Sequence, residues 1–206
     1  MSAAMKVQAR EQFIHRLEDY YTYSDYLRWD TGDIRHELID GRPYAMASPA
    51  VGHQKVLMEL AWRIRTHLEG KECVIIPDID VRLNHDEADD TVVRPDLVVV
   101  CDSSKIDEKS VKGAPDLVIE ILSPSTAKYD KTIKLAKYRK AGVKELWYVD
   151  YRAGSLEVLT LKNGEYVVEY FYGDDQVSPH ALPDLVIDLS EILMVRGDED
   201  AIGAKN

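Results

Sequence analysis

Apolar residues recur along the chain with two periods, one helical and one alternating. Val56, Leu60, Ile64 and Leu68 fall at helical spacing after Ser48-Pro49, which predicts a long helix ended by Gly70. A second helix is expected over 127–141, stopping at Gly142, since glycine suits the position just past a helix end. Shorter helices are expected over 5–19 and 23–29, the latter capped by Ser24. Strand-like runs cover 73–83, 92–100 and 116–122, then 145–150, 155–161 and 166–171. Asp40-Gly41 and Asn163-Gly164 supply the turns of two hairpins, the first over 37–46. A short final helix is expected after 184, fraying beyond Gly197. The order of elements predicts an α/β fold, an α+β mixed sheet with flanking helices. No repeat interrupts it, so the reading is one domain over 1–197 with a flexible tail at 198–206.

Composition narrows the class. A chain of 206 residues with 45% hydrophobic content is long enough for a sizeable core. No window approaches the ~20 apolar residues that cross a bilayer. Lys6, Arg10, Glu11 and His15 interrupt the first apolar residues, unlike a signal peptide. Cys73 and Cys101 lie inside or beside strand-like runs. They could pair, but are read as buried and reduced, which places the protein in the cytoplasm.

The formal net charge of −11 counts against a surface that attracts DNA in bulk. The charge is uneven, because Lys128, Lys131, Lys134, Lys137, Arg139, Lys140 and Lys144 crowd one segment, opposed only by Asp130. Taken alone, that is a solvated helix face. His85 and the acids from Asp86 to Asp90 read as a mobile loop without chemistry.

The run Asp116-Leu-Val-Ile-Glu120-Ile-Leu122 carries the first chemical signal. Alternation puts Asp116, Val118, Glu120 and Leu122 on one face, with Glu120 mid-strand among apolar residues, where an unpaired carboxylate is costly. Asp116 lies ~13 Å away along the strand, too far to share a cation with it. The partner must come from a neighbouring strand, and Asp96, at the entrance of Asp96-Leu-Val-Val-Val100, is the candidate. Two such strands make half a cage for Mg²⁺ or Mn²⁺, completed by water and a substrate phosphate. The other reading pairs Glu120 with a core cation such as Arg94. Both stay open on motif shape alone.

Several stretches together resemble a known family. These are Glu37-Leu-Ile-Asp-Gly41, His53 at the opening of a helix, Arg94-Pro-Asp-Leu-Val-Val-Val100, Pro115-Asp-Leu-Val-Ile-Glu-Ile-Leu-Ser-Pro-Ser-Thr126 and Lys134-Leu-Ala-Lys-Tyr-Arg-Lys-Ala-Gly-Val143 followed by Trp147-Tyr-Val-Asp150. In this order, over roughly 20 to 190, they resemble the Uma-two family of restriction-endonuclease-like proteins in the PD-(D/E)xK nuclease superfamily. The resemblance implies a restriction-endonuclease-like core, with Asp96 as the Asp of the PD motif and Glu120 as the acid of the (D/E)xK motif. Leu122 stands where the simple motif has lysine. In a helix over 127–141, residues 131, 134, 135 and 138 share one face, and Leu135 and Tyr138 mark it as the core side. Lys134 is therefore expected to replace the missing lysine, with Lys131, Lys137 or none as the alternatives. Glu37 is a candidate third acid or a hairpin-surface glutamate. His53 either serves the metal, a water or the phosphate, or is a polar first-turn residue.

Ser123 and Ser125 lack a nucleophile-elbow pattern and read as a turn before the next helix. Neither a phosphate-binding glycine loop nor a zinc-like Cys/His spacing occurs. Two functions follow. One is a Mg²⁺- or Mn²⁺-dependent endonuclease that hydrolyses phosphodiesters in nucleic acid, DNA being the favoured kind. The other is an inactive nuclease-like module that binds nucleic acid or protein. Weak nucleic-acid binding is expected, and a homodimer is plausible through the tyrosine-rich strand at 165–172.

Overall fold

A computed structural model of the chain describes residues 20–29 and 34–193. The helix expected at 5–19 and the tail at 198–206 lie outside these residues. Element order is α1 (Tyr23–Tyr26), β1 (His36–Ile39), β2 (Arg42–Ala45), α2 (Val51–His67), β3 (Val74–Pro77), β4 (Asp80–Arg82), β5 (Val92–Val93), β6 (Leu97–Val100), β7 (Ser110–Lys112) and β8 (Leu117–Ile121). Helix α3 follows as an α turn (Ala127–Tyr129), a π segment (Asp130–Lys134) and an α segment (Leu135–Ala141). Then come β9 (Glu145–Asp150), β10 (Ser155–Lys162), β11 (Glu165–Tyr172), β12 (Gln176–Val177), β13 (Ile187–Asp188) and the single turn α4 (Ser190–Leu193).

The expected mixed α/β architecture is present. A six-stranded sheet has the order β11-β10-β9-β8-β6-β3, antiparallel except for the parallel pair β8–β9. A five-stranded sheet has the order β2-β1-β5-β4-β7, with β4–β7 parallel. Two runs that read as continuous strands each serve both sheets. The 73–83 run breaks at Asp78, whose φ is 47°, and the 92–100 run breaks at Arg94-Pro95-Asp96, where proline has no N–H for a ladder. The two corners are tied together, Asp78 N–H donating to the Asp96 carbonyl at 3.2 Å. Arg94 clamps them from the side, bonding the Asp78 carbonyl at 3.0 Å and lying 3.2 Å from the Asp80 carboxylate.

Alternation along β8 distributes its side chains between two cores. Leu117, Ile119 and Ile121 face α2 with Val56, Leu60, Ile64 and Leu68, while Val118 and Leu122 face Tyr138, Leu146 and Tyr148. Each large aliphatic side chain removed from water on the α2 face contributes about 1.5–3 kcal/mol. Glu120 points to the second side, beneath α3.

Local details differ from expectation for physical reasons. The cap of α1 is Thr22 rather than Ser24, because Asp25 accepts from the Thr22 N–H at 3.0 Å and hydroxyl at 2.8 Å. Asp40 and Gly41 both have positive φ, 49° and 72°, the conformation of a tight hairpin turn. Two of the acids after His85 are anchored: Asp89 pairs with Arg82 at 2.6 Å, and buried Asp90 accepts from Asn84 at 2.7 Å and Thr91 at 3.0 Å.

The cysteines are also a correction. Antiparallel pairing of Val74 with Val100 sets Cys73 directly opposite Cys101, and the two form a disulfide. Cytoplasmic placement thus loses the support it took from reduced thiols. Among the described residues no helix is long and apolar enough to cross a membrane.

The bridge closes a loop with a sequence separation of 28. Chain entropy over such a loop amounts to about 3–4 kcal/mol. Replacing both cysteines by serine is expected to lower the unfolding free energy by about 2–4 kcal/mol in urea titrations. Thiol titration of the denatured, unreduced protein should find no free thiol; two would refute the pairing.

Candidate active site

The corner at Pro95 places an acid where the two sheets meet. Leu97 pairs with Ile119 across β6 and β8, so one step further Asp96 stands opposite Glu120. Directly opposed side chains have Cβ atoms about 4.5–5.5 Å apart. Asp96 Oδ2 accepts the Ile121 N–H at 2.7 Å and lies 3.2 Å from His53 Nε2, at the start of α2. His53 is buried, and its Nδ1 has no hydrogen-bond partner among the described residues.

Glu120 is reached from α3. Lys134 Nζ lies 2.6 Å from Glu120 Oε1, 2.9 Å from Glu37 Oε1 and 3.6 Å from Asp130 Oδ1. The Tyr138 hydroxyl also donates to Glu120. Glu37, on β1, accepts the Arg94 backbone N–H at 2.8 Å. Glu37, Glu120, Asp130 and Lys134 are all buried. The hairpin sheet thus delivers Glu37, the large sheet Glu120, and the helix Asp130, Lys134 and Tyr138 to a single point. Arg94 is not the partner of Glu120; its guanidinium serves Asp78 and Asp80. Neither Lys131 nor Lys137 enters the cluster, being paired with Glu157 at 2.6 Å and with Asp40 at 2.6 Å.

Asp130 and Tyr138 had no place in the sequence reading of the site. Asp130 was counted as the lone acid of a basic segment. Its signal was available, since it lies four residues before Lys134 and shares its helix face. The π segment that contains both is a feature the sequence does not announce, and such segments recur at functional positions.

The electrostatics follow from one ammonium among several carboxylates. Burial, foremost, pushes the Glu120 carboxyl up to about 8, with Asp130, Asp96 and Glu37 adding to the rise and Lys134 opposing it. Burial likewise raises Asp130. For Lys134 burial favours the neutral amine, but Glu120 and Glu37 outweigh it and hold the ammonium well above its ordinary value. The cluster therefore lacks positive charge.

A cleft of about 860 Å³ opens onto these groups, walled by Met46, Pro49, Pro124 and Tyr151, with Arg35 and Arg152 also on its lining. Among the described residues no three His, Cys, Asp or Glu side chains converge as a ready metal cage. Asp96 and Glu120 are of the ligand type that magnesium takes, since it is commonly held by one or two carboxylates with waters and phosphate oxygens. The charge deficit of the cluster favours such an ion.

The raised Glu120 carboxyl makes stability depend on pH. Between its ordinary value of 4.5 and about 8, the folded chain keeps a proton that the unfolded chain has lost. The stabilisation is complete below 4.5 and is lost as pH rises through 8, with a slope of at most about 1.4 kcal/mol per pH unit. Glu120→Gln should flatten that slope in denaturant titrations of the metal-free protein. An unchanged slope would mean that Glu120 ionises normally.

Known proteins resemble this chain in sequence and in fold. The family Uma2, described as "Putative restriction endonuclease", matches residues 23–190. An uncharacterised protein of Synechocystis sp., slr1290, is 33% identical over 118 residues, or 55% of this chain. The match spans only 60% of that curated relative's length. The crystal structure of a "putative nuclease belonging to DUF820" from Anabaena variabilis is similar with a TM-score of 0.70, covering 84% of this chain and 98% of that one. At 20% identity, that likeness speaks to the fold alone. With its family match running from Tyr23 to Ser190, the chain belongs to the Uma2 family.

Proposed function

We propose that this chain is a metal-dependent endonuclease that hydrolyses phosphodiester bonds in nucleic acid, DNA being the favoured substrate. The observation that carries the reading is the buried Lys134 ammonium, 2.6 Å from Glu120, the residue that stands opposite Asp96. Asp96 and Glu120 would hold Mg²⁺ or Mn²⁺. When bound, the ion supplies Lewis acidity toward a phosphate oxygen and lowers the pKa of bound water.

The remaining steps belong to the protein. Lys134 directs positive charge into the cleft, where it stabilises the charge that builds on the phosphate as water attacks and one P–O bond breaks. Glu37 and Asp130 hold the ammonium from behind, so that it stays aimed if Glu120 turns to a cation. Tyr138 fixes Glu120, and His53 together with the Ile121 N–H fixes Asp96. These contacts preorganise the acids and reduce the reorganisation required in the reaction.

Binding to nucleic acid is weak in this reading. Lys131, Lys137 and Arg139 pair with Glu157, Asp40 and Glu165, which leaves Lys128, Lys140 and Lys144 as the unneutralised part of the basic segment on a −11 chain. One observation favours the second reading, an inactive binding module: the Lys134 ammonium already lies among the acids and neutralises part of their charge without a metal.

Nicking of supercoiled plasmid with Mg²⁺ or Mn²⁺ separates the two. Asp96→Ala is expected to abolish nicking and weaken Mn²⁺ binding in calorimetry. Lys134→Met, which keeps most of the side-chain stem, is expected to lose about 10²–10³-fold in rate while Mn²⁺ binding persists. A Lys134→Met protein that cuts at the parental rate would remove the lysine from the mechanism. Mn²⁺ binding without any nicking would select the binding module.

A further inference from the structure

Two arginines on the lining of the cleft meet the same carboxylate, and they differ in how firmly they are held. Arg94 lies 3.3 Å from the Asp78 carboxylate, but it also bonds the Asp78 carbonyl at 3.0 Å and pairs with buried Asp80 at 3.2 Å. Those further contacts keep its guanidinium in place. Arg35 reaches the Asp78 carboxylate at 2.5 Å, with the two side chains 38% and 42% exposed. An ion pair so open to water binds its partners weakly and exchanges them at little cost.

The place of Arg35 gives that exchange a use. Arg35 extends β1 by one residue, its carbonyl accepting the Met46 N–H at 2.9 Å. Side chains two apart on a strand share a face, so Arg35 lies beside Glu37, about 7 Å along the strand. Glu37 is buried and holds the Lys134 ammonium at 2.9 Å, while Arg35 stands nearer the mouth. A phosphate seated over Lys134 and Asp96 has its neighbour one sugar–phosphate repeat away, a comparable length, within reach of Arg35. Guanidinium groups meet phosphate with paired N–H donors, as they meet a carboxylate.

We infer that Arg35 gives up Asp78 on binding and takes the phosphate next to the scissile one, an assignment that rests on the nuclease reading for its ligand, a nucleic-acid strand. The Asp78 side chain is then a competitor built into the subsite, occupying the guanidinium until phosphate oxygens replace it. The Asp78 backbone has separate work. At a φ of 47° it turns the corner, its N–H donating to the Asp96 carbonyl and its carbonyl accepting from Arg94. Asparagine suits that conformation and keeps both backbone bonds. Asp78→Asn therefore removes the competing charge and leaves the corner intact.

Fluorescence anisotropy with a labelled DNA duplex, and with one of its strands alone, tests the subsite in the presence of Ca²⁺ instead of Mg²⁺. Arg35→Gln is expected to weaken binding about tenfold and to flatten the slope of log K against log salt by about 0.7–0.9, the loss of one phosphate contact. Asp78→Asn is expected to move the other way, tightening binding about threefold and steepening the slope. Arg28→Gln, which breaks an exposed pair with Asp25 outside the cleft, should change neither. An ion pair that merely supports the fold would lower the Tm of both variants without tightening either. Unchanged affinity in Arg35→Gln, or no tightening in Asp78→Asn, would overturn the inference even if the parent cuts DNA. A parent that binds in the expected pattern but never cuts would end the nuclease reading and leave the phosphate subsite standing. A parent that binds neither DNA would refute both.

Discussion

A lysine ammonium buried among carboxylates is the constraint on which the rest of the structure depends. Taking the ions of such a cluster out of water costs several kcal/mol each, offset only when the geometry brings opposite charges into contact. Here Lys134 comes from α3, Glu37 from β1 and Glu120 from β8. The ammonium meets both glutamates only when both sheets and the helix are docked. Docking of α3 on β8 alone would pair Lys134 with Glu120 but leave Glu37 without the ammonium, so the full cluster forms only with the whole fold. The same arithmetic limits the cluster, because one ammonium does not balance Glu37, Asp96, Glu120 and Asp130 together. A proton on Glu120 or a cation beside it completes the balance.

Much of this was legible in the sequence because periodicity reports orientation. Glu120 stood out as an acid on an apolar face of a strand, and Lys134 as a lysine on the core stripe of a helix. Both inferences need only the repeat of the element. The opposition of Asp96 and Glu120 required a guess about neighbouring strands, since register is not written in either strand alone. The same ignorance of register made Cys73 and Cys101 read as separate thiols. The strand exchange was hidden for another reason. Apolar side chains continue on both sides of Pro77-Asp78 and of Pro95-Asp96, so a period-two pattern passes through a corner that only the backbone makes. Asp130 was missed because its basic neighbours dominate any count of charge along the segment.

Helix α2 links matters that are separate in sequence. Its first turn supplies His53 to Asp96, its middle packs Leu60 and Ile64 into the core, and its outer face carries Met58 and Trp62. A rigid rod of 17 residues therefore has one end in the cleft and one side at the surface. Anything that braces its surface side also braces the imidazole that steadies Asp96.

The π segment of α3 makes chain length, more than residue identity, the quantity that the site cannot give up. Asp130 and Lys134 reach the cluster from within the widened turn, and Tyr138 reaches Glu120 from the regular helix after it. Each residue of a regular helix advances the rotation by about 100°. Loss of a single residue between Asp130 and Lys134 would restore an even helix and keep nearly all of the composition. It would leave Tyr138 in phase with Glu120, because the widened turn takes up one residue more than an α turn, but it would cut the spacing of Asp130 and Lys134 to three and change how the two meet in the cluster. Along this stretch related chains should therefore vary in side chains more freely than in spacing, and an alignment gap there would mark a protein that has lost its site.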